Sequence, residues 1–319
     1  MRRGAILAGL FAAALAQGAG AQDHGFLAIG AGSVGGVYYP TASAICRLVN
    51  RETDRHGARC AAQASGGSVA NIEAIRDGSM EFAVVQGDIE RAAMLGEGPF
   101  EGVALPELRA VFAAHSEPFT LIVREGSGIA GIADLRGRRV NLGAPGSGQR
   151  VTTERVLAAQ GLDIGSIVST EASGRAVAAE ICGGGADALI YTIGHPAAIL
   201  REAAETCDLR FLPVGGPEID ALLEESPAYS RAVIPAGLYP GTETPVESFA
   251  VGSALVTRVD VDDALVATVA RAVLGNLAEF RAQHPALVGL DPKAMLSGGT
   301  TAPLHPGALA AYRDMGLID

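Results

Sequence analysis

Three short stretches of glycine and serine stand where a strand gives way to a helix: residues 33–36, 65–68 and 146–149. The first N–H groups of a helix have no acceptor within it, and the aligned peptide dipoles add partial positive charge there. Glycine lets the backbone approach a bound group closely, and serine hydroxyls supply further donors, so such loops suit the binding of an anion. Taken singly, each loop is more simply an ordinary N-cap with turn glycines. Three of them spread along one chain point to a ligand, with Ser33, Ser65, Gly67, Ser68 and Ser147 as candidate contacts. Gln86, Gln149, Tyr191 and His195 end or follow strands at comparable positions and can bond a carboxylate or amide without adding a permanent charge. Tyr38 and Tyr39 open the first helix; one is expected to wall the cleft, the other to enter the core. His115 suits a structural role as well as a ligand contact.

Other chemistries fit less well. Gly30, Gly32 and Gly35 match G-x-G-x-x-G between a strand and a helix, the dinucleotide fingerprint of an oxidoreductase. Such a site needs an acid at the tip of the second strand for the ribose hydroxyls, yet that strand ends Ala62-Gln63-Ala64-Ser65. Neither Ser33 nor Ser147 lies in G-x-S-x-G, because Ala31 and Pro145 occupy the first glycine position. No metal-protease, phosphate-loop or calcium-loop pattern is present. His24, His56, His284 and His305 are scattered and read as surface residues, and Asp187 as a solvated or capping carboxylate. No catalytic group, cofactor or metal is expected.

The elements that would position these residues alternate regularly. Strands are expected at 26–29, 59–63 and 81–85, with helices at about 39–51 and 69–77 and another after residue 88. Such strand–helix alternation implies βαβ units and a parallel sheet, whose right-handed crossovers gather the strand-to-helix loops on one edge. The pattern restarts with strand-like runs at 108–114 and 119–124, separated by His115-Ser-Glu-Pro118. It continues with a strand at 138–142, a helix at about 149–160, a strand at 186–191, a strand at 248–256 and a helix from 262 to about 283. The layout predicts an α/β protein of two lobes, one formed by residues 22–115 and 248–319 and the other by 116–247. The two crossings look like extended strands, which form a hinge rather than a tether.

The first residues have the grammar of a cleavable export signal: Arg2 and Arg3, an apolar run from Ala5 to Ala16, then Ala19-Gly20-Ala21. That run is too short to span a bilayer, which needs about 20 residues. Cleavage is expected after Ala21, placing the mature protein in the periplasm. The chain carries a formal charge of −11 with a single lysine, Lys293, so a nucleic-acid partner is not expected. Cys46, Cys60, Cys182 and Cys207 allow three pairings. In an oxidising compartment the local pairs Cys46–Cys60 and Cys182–Cys207 are the expectation. A monomer is the default state.

As a set, these segments resemble the TAXI family of solute receptors, which serve tripartite ATP-independent periplasmic (TRAP) transporters. The resemblance runs through 29–40 (IGAGSVGGVYYP), 65–71 (SGGSVAN), 82–88 (FAVVQGD) and 115–119 (HSEPF). It continues through 134–140 (DLRGRRV), 146–149 (GSGQ), 191–196 (YTIGHP) and 302–307 (APLHPG), in order over the mature chain. It implies a type II periplasmic-binding-protein fold, two α/β lobes joined by hinge strands with the ligand between them. It implies TRAP membrane permease subunits as partners and a small organic anion, a glutamate-like amino acid or a five-carbon dicarboxylate such as 2-oxoglutarate, as cargo. Carried over by position, the site comprises Ser33, Tyr38, Ser65, Gly67, Ser68, Gln86, Ser147, Gln149, Tyr191 and His195. Other TRAP receptor families clamp the substrate carboxylate with an arginine; none matches here, and Arg150 is the nearby candidate. The same fold also serves periplasmic sensors of membrane kinases, the rival reading.

Overall fold

The computed structural model describes residues 25–296 and 298–319. The expected export signal and its cleavage point lie outside the described residues. The chain begins with β1 Phe26–Gly30, α1 Tyr38–Asn50, α2 Thr53–His56, β2 Arg59–Gln63, α3 Ser68–Arg76, β3 Phe82–Gln86 and α4 Gly87–Leu95. It continues with β4 Leu108–Arg124, β5 Arg139–Asn141, α5 Gly148–Ala159, β6 Val168–Thr170, α6 Ala176–Cys182 and β7 Ala188–Thr192. Then come α7 Ala198–Thr206, β8 Leu209–Leu212, α8 Pro217–Glu225 and β9 Tyr229–Ile234. It closes with β10 Val246–Arg258, α9 Asp263–Leu274, α10 Leu277–Arg281 and α11 Pro306–Asp314.

The sheet order is β2-β1-β3-β10-β4-β7-β5-β6, with β8 against β4 and β9 against β10. The expected parallel pairing holds for β2-β1-β3 and for β7-β5, and the short β6, not among the expected strands, extends the second group in parallel; helices make the crossovers. The sheet as a whole is mixed, because β4 and β10 are antiparallel to their neighbours. The lower half of β4 pairs with β10, and residues 119–124 pair with β7 and β8. These two long strands therefore join one group of strands to the other.

The break expected at residues 115–118 is absent: β4 runs through it as one strand. Pro118 brings no N–H to a ladder. Nearby, the register with β10 shifts between Gly252 and Ala254, and the Ser253 hydroxyl accepts the His115 N–H at 3.2 Å. A side chain thus replaces a ladder bond. The single helix expected over 262–283 is instead α9 and α10, parted at Gly275 and Asn276. Asn276 draws its side-chain amide back to the Ala272 carbonyl at 2.9 Å, a local bond that competes with helix continuation.

Period-two alternation decides which core each β4 side chain enters. Leu121 and Val123 pack with Val140, Val156, Leu157 and Ile190, whereas Ile122 joins Ile181, Leu189, Leu200 and Phe211 on the opposite face. Around β1–β3, one face carries Ile45, Val49, Val269 and Tyr312, and the other Ile72, Ile75, Ile89 and Phe100. Each fully buried aliphatic or aromatic side chain contributes about 1.5–3 kcal/mol, so both strand groups are held by cores of their own. The disulfides Cys46–Cys60 and Cys182–Cys207 tie α1 to β2 and the end of α6 to the end of α7.

Two surface expectations are corrected. His305 is fully buried at the N-cap of α11, its Nδ1 accepting the Gly307 N–H at 3.1 Å. Asp187 is nearly buried and accepts from the Arg139 guanidinium at 2.6 Å, with Arg124 at 3.5 Å. That pairing holds the Asp187 carboxyl below the usual range, chiefly through the Arg139 hydrogen bond.

Candidate ligand site

Strand-to-helix loops from both strand groups converge on one cleft of about 320 Å³. Asn71 organises the first side. Its buried amide donates to the carbonyls of Ala31 (2.5 Å) and Val84 (2.8 Å) and accepts the Ser65 hydroxyl at 2.6 Å. One side chain on α3 thereby ties the loops that follow β1 and β2 to the middle of β3. Gly30 is required beside it, because a Cβ there would lie 2.8 Å from the Asn71 oxygen. Ser68 opens α3, and its buried hydroxyl accepts the Gln86 N–H at 3.1 Å.

The second side is the start of α5. Ser147 caps this helix, its oxygen accepting the Arg150 N–H at 3.2 Å while its proton goes to the Ala144 carbonyl at 2.7 Å. Gln149 donates to the Ile190 carbonyl at 2.7 Å and so braces α5 against β7. The two sides touch. A Cβ on Gly148 would sit 2.0 Å from Gln86 Oε1 and 2.8 Å from Ser68 Oγ; one on Gly67 would meet Ser147 at 3.3 Å. Behind this contact Gln86 donates to Thr152 at 3.2 Å. The Asp88 carboxylate accepts from Thr152 (2.7 Å) and from Tyr229 (2.9 Å). Burial raises the Asp88 pKa above its ordinary value, and these hydrogen bonds oppose the rise.

The cleft is completed by residues that the sequence reading gave no role. Glu117 on β4 is buried, accepting from Tyr38 Oη at 2.8 Å and lying 3.1 Å from His115 Nε2. Burial, then the Glu117 charge, pushes the Tyr38 phenol well above its ordinary value. Val37, Ile193 and Ile199 add apolar surface, and Thr192 adds a hydroxyl. Ser253, His115 and Glu117 share one hydrogen-bonded chain, residue types that also make hydrolytic triads. Ser253 is fully buried and 2.9 Å from the His115 carbonyl, so its hydroxyl is not presented to the cleft.

Nine of the ten carried-over positions line this cleft: Ser33, Tyr38, Ser65, Gly67, Ser68, Gln86, Ser147, Gln149 and Tyr191. Tyr39 instead packs against the neighbouring core. His195 does not line the cleft; it lies beneath it, between Tyr239 Oη (2.6 Å) and Thr120 Oγ1 (2.9 Å). Tyr239 Oη accepts the Ala197 N–H, so its proton serves His195 Nδ1. Nε2–H then serves Thr120, whose own proton reaches the Pro118 carbonyl at 3.0 Å. Burial lowers the His195 pKa to about 4, keeping the ring neutral. Arg150 also stays out of the cleft, engaged with Glu154 (2.8 Å), Glu171 (3.3 Å) and Ser169 (3.2 Å). Beside Gly30 the tip of β2 presents Gln63, so the dinucleotide reading lacks its acid.

Residues 29–316 match the model of the NMT1-like family. The chain belongs to that family. Among solved structures it resembles a protein from Bordetella bronchiseptica RB50, at 15% identity and a TM-score of 0.57, covering 91% of this chain and 98% of that one. It also resembles MatC from Rhodopseudomonas palustris with bound malate, at 15% identity and a TM-score of 0.54, covering 92% and 97%. The aliphatic sulphonate binding protein SsuA of Escherichia coli superposes more loosely, at 16% identity and a TM-score of 0.45, covering 91% and 78%. The expected periplasmic-binding-protein fold is the one this NMT1-like chain adopts. No helix among the described residues is long and apolar enough to cross a membrane.

Proposed function

We propose that this NMT1-like protein is a periplasmic solute receptor of the TAXI type, not an enzyme. It captures a small carboxylate-bearing metabolite and delivers it to the permease subunits of a TRAP transporter. One observation carries the reading: glycine–serine loops and helix starts from both strand groups face a single cleft sized for a small metabolite. The helix starts α3 and α5 and the nearby hydroxyls supply donors for a carboxylate without a clamping arginine. Residues 22–115 and 248–319 form one lobe and 116–247 the other, with β4 and β10 as the hinge. The ligand binds one lobe, and closure brings the second set of loops onto it; the ligand favours closure by its differential contacts. The disulfides suit an oxidising compartment. Cargo of the glutamate or five-carbon dicarboxylate class fits the cleft volume.

The test is a thermal-shift panel on the mature, refolded protein with glutamate, glutamine, 2-oxoglutarate, 2-hydroxyglutarate, succinate, malate and phosphate. A ligand at about 100 times its Kd adds roughly 2.7 kcal/mol of stability, a clear shift. A flat panel from a protein with both disulfides formed and a cooperative transition would sink this cargo class.

A further inference from the structure

The polar groups around the cleft are divided between two poles. At one, the first turns of α3 and α5 present N–H groups beside Ser68 and Gly148. At the other stands Glu117. Among the described residues that line the cleft there is no arginine, lysine or histidine, and Glu117 is the only carboxylate. Its Oε2 accepts from Tyr38 at 2.8 Å and its Oε1 faces His115 Nε2 at 3.1 Å. A carboxylate offers about four acceptor positions, so each oxygen can take a second donor.

Thr192 supplies an independent sign of a ligand at the same pole. It is 7% exposed, it lines the cleft, and its hydroxyl has no partner among the described residues. A buried hydroxyl without a partner costs about 1–3 kcal/mol, which is unusual unless a bound group satisfies it. Thr192 on β7 lies directly opposite Phe119 on β4. Glu117 is two residues before Phe119, so the two-residue period places both side chains on one face of the sheet.

We infer that the cleft selects an α-amino acid over oxo, hydroxy and dicarboxylic acids of the same size, with Glu117 and Thr192 holding its ammonium group. The inference rests on the solute-receptor reading and deepens it. A dicarboxylate without an amine brings a second negative charge beside Glu117, and no cation on the lining offsets it. An amino acid reverses that balance: its carboxylate meets the helix starts, and its ammonium donates to Glu117 while Thr192 accepts from it.

Calorimetric titration of the refolded protein with glutamate, glutamine, 2-oxoglutarate and succinate tests this. Glutamate or glutamine is expected to bind at least tenfold more tightly than 2-oxoglutarate. Glu117→Gln, which keeps an acceptor for Tyr38, should reduce that ratio about tenfold or more, and Thr192→Val severalfold. The inference is overturned if 2-oxoglutarate binds wild type as tightly as either amino acid. It is also overturned if both variants leave the ratio unchanged. Should Glu117→Gln fail to fold, the wild-type ratio and Thr192→Val decide. If only the dicarboxylates bind, this inference fails while the receptor reading stands; if nothing binds, the cargo class falls first and takes this inference with it.

Discussion

Replacing Asp88 by alanine tests whether the contact behind the cleft is a latch for closure. Asp88 belongs to the first strand group, while Thr152 on α5 and Tyr229 on β9 belong to the second. Two charge-assisted hydrogen bonds at a net of about 1.5 kcal/mol each give roughly 3 kcal/mol for the contact. The raised pKa of Asp88 shows that burial of its charge works against those bonds, so the net loss is smaller, about 1–2 kcal/mol. Thr152 retains an alternative acceptor in the Gly148 carbonyl at 3.0 Å, but Tyr229 does not keep its bond. If lobe opening breaks these bonds, the loss appears as weaker ligand binding, about 5–30-fold in Kd. Calorimetry would read that change, and thermal unfolding of the ligand-free protein should move little. An unchanged Kd with a lower ligand-free melting temperature would refute the latch and place the network in the permanently folded core.

Two other perturbations have expected outcomes. Glu90 is fully buried, accepting from Thr300 (2.6 Å) and the Ala302 N–H (2.7 Å), and burial raises its pKa to about 7. A raised carboxyl pKa favours the folded state below the ordinary value of 4.5, and that advantage is lost as pH rises toward 7. Denaturation midpoints of wild type should therefore fall between pH 4.5 and 7 relative to Glu90→Gln, and parallel profiles would refute the assignment. Asn71→Ala leaves the Ala31 and Val84 carbonyls without their side-chain donor. It should cost about 2–4 kcal/mol in denaturant titrations and weaken every ligand alike, since the loops after β1 and β2 lose their common tie to β3.

Local chemistry was legible in the residues themselves. Glycine and serine after a short apolar strand mark a helix start with free N–H groups whatever the rest of the chain does. That is why residues 33–36, 65–68 and 146–149 could be singled out, and all three stretches contribute to the cleft. The alternation of strands and helices likewise revealed the parallel group β2-β1-β3 and the strands β5 and β7 of the second group, whereas the three-residue β6 carried no such signal. Cysteines close in sequence pair because short loops bring them together.

What depended on pairing between distant residues was not legible. Nothing in His115-Ser-Glu-Pro118 says that Ser253 on β10 bridges the strand there, so β4 read as two pieces. Asn71 lies in 65–71 (SGGSVAN), yet its role in tying the loops after β1 and β2 to β3 exists only once β1 and β3 lie side by side. His195 followed a strand like the other candidates, but Tyr239, 44 residues away, and Thr120 draw it beneath the cleft. Glu117 and Thr192 became a pair only when β4 met β7. Chain order alone sets which residue types wait at the strand ends. The tertiary structure decided which of them share one solvent-excluded space, because side chains far apart in the chain acquire common neighbours only when the strands pair.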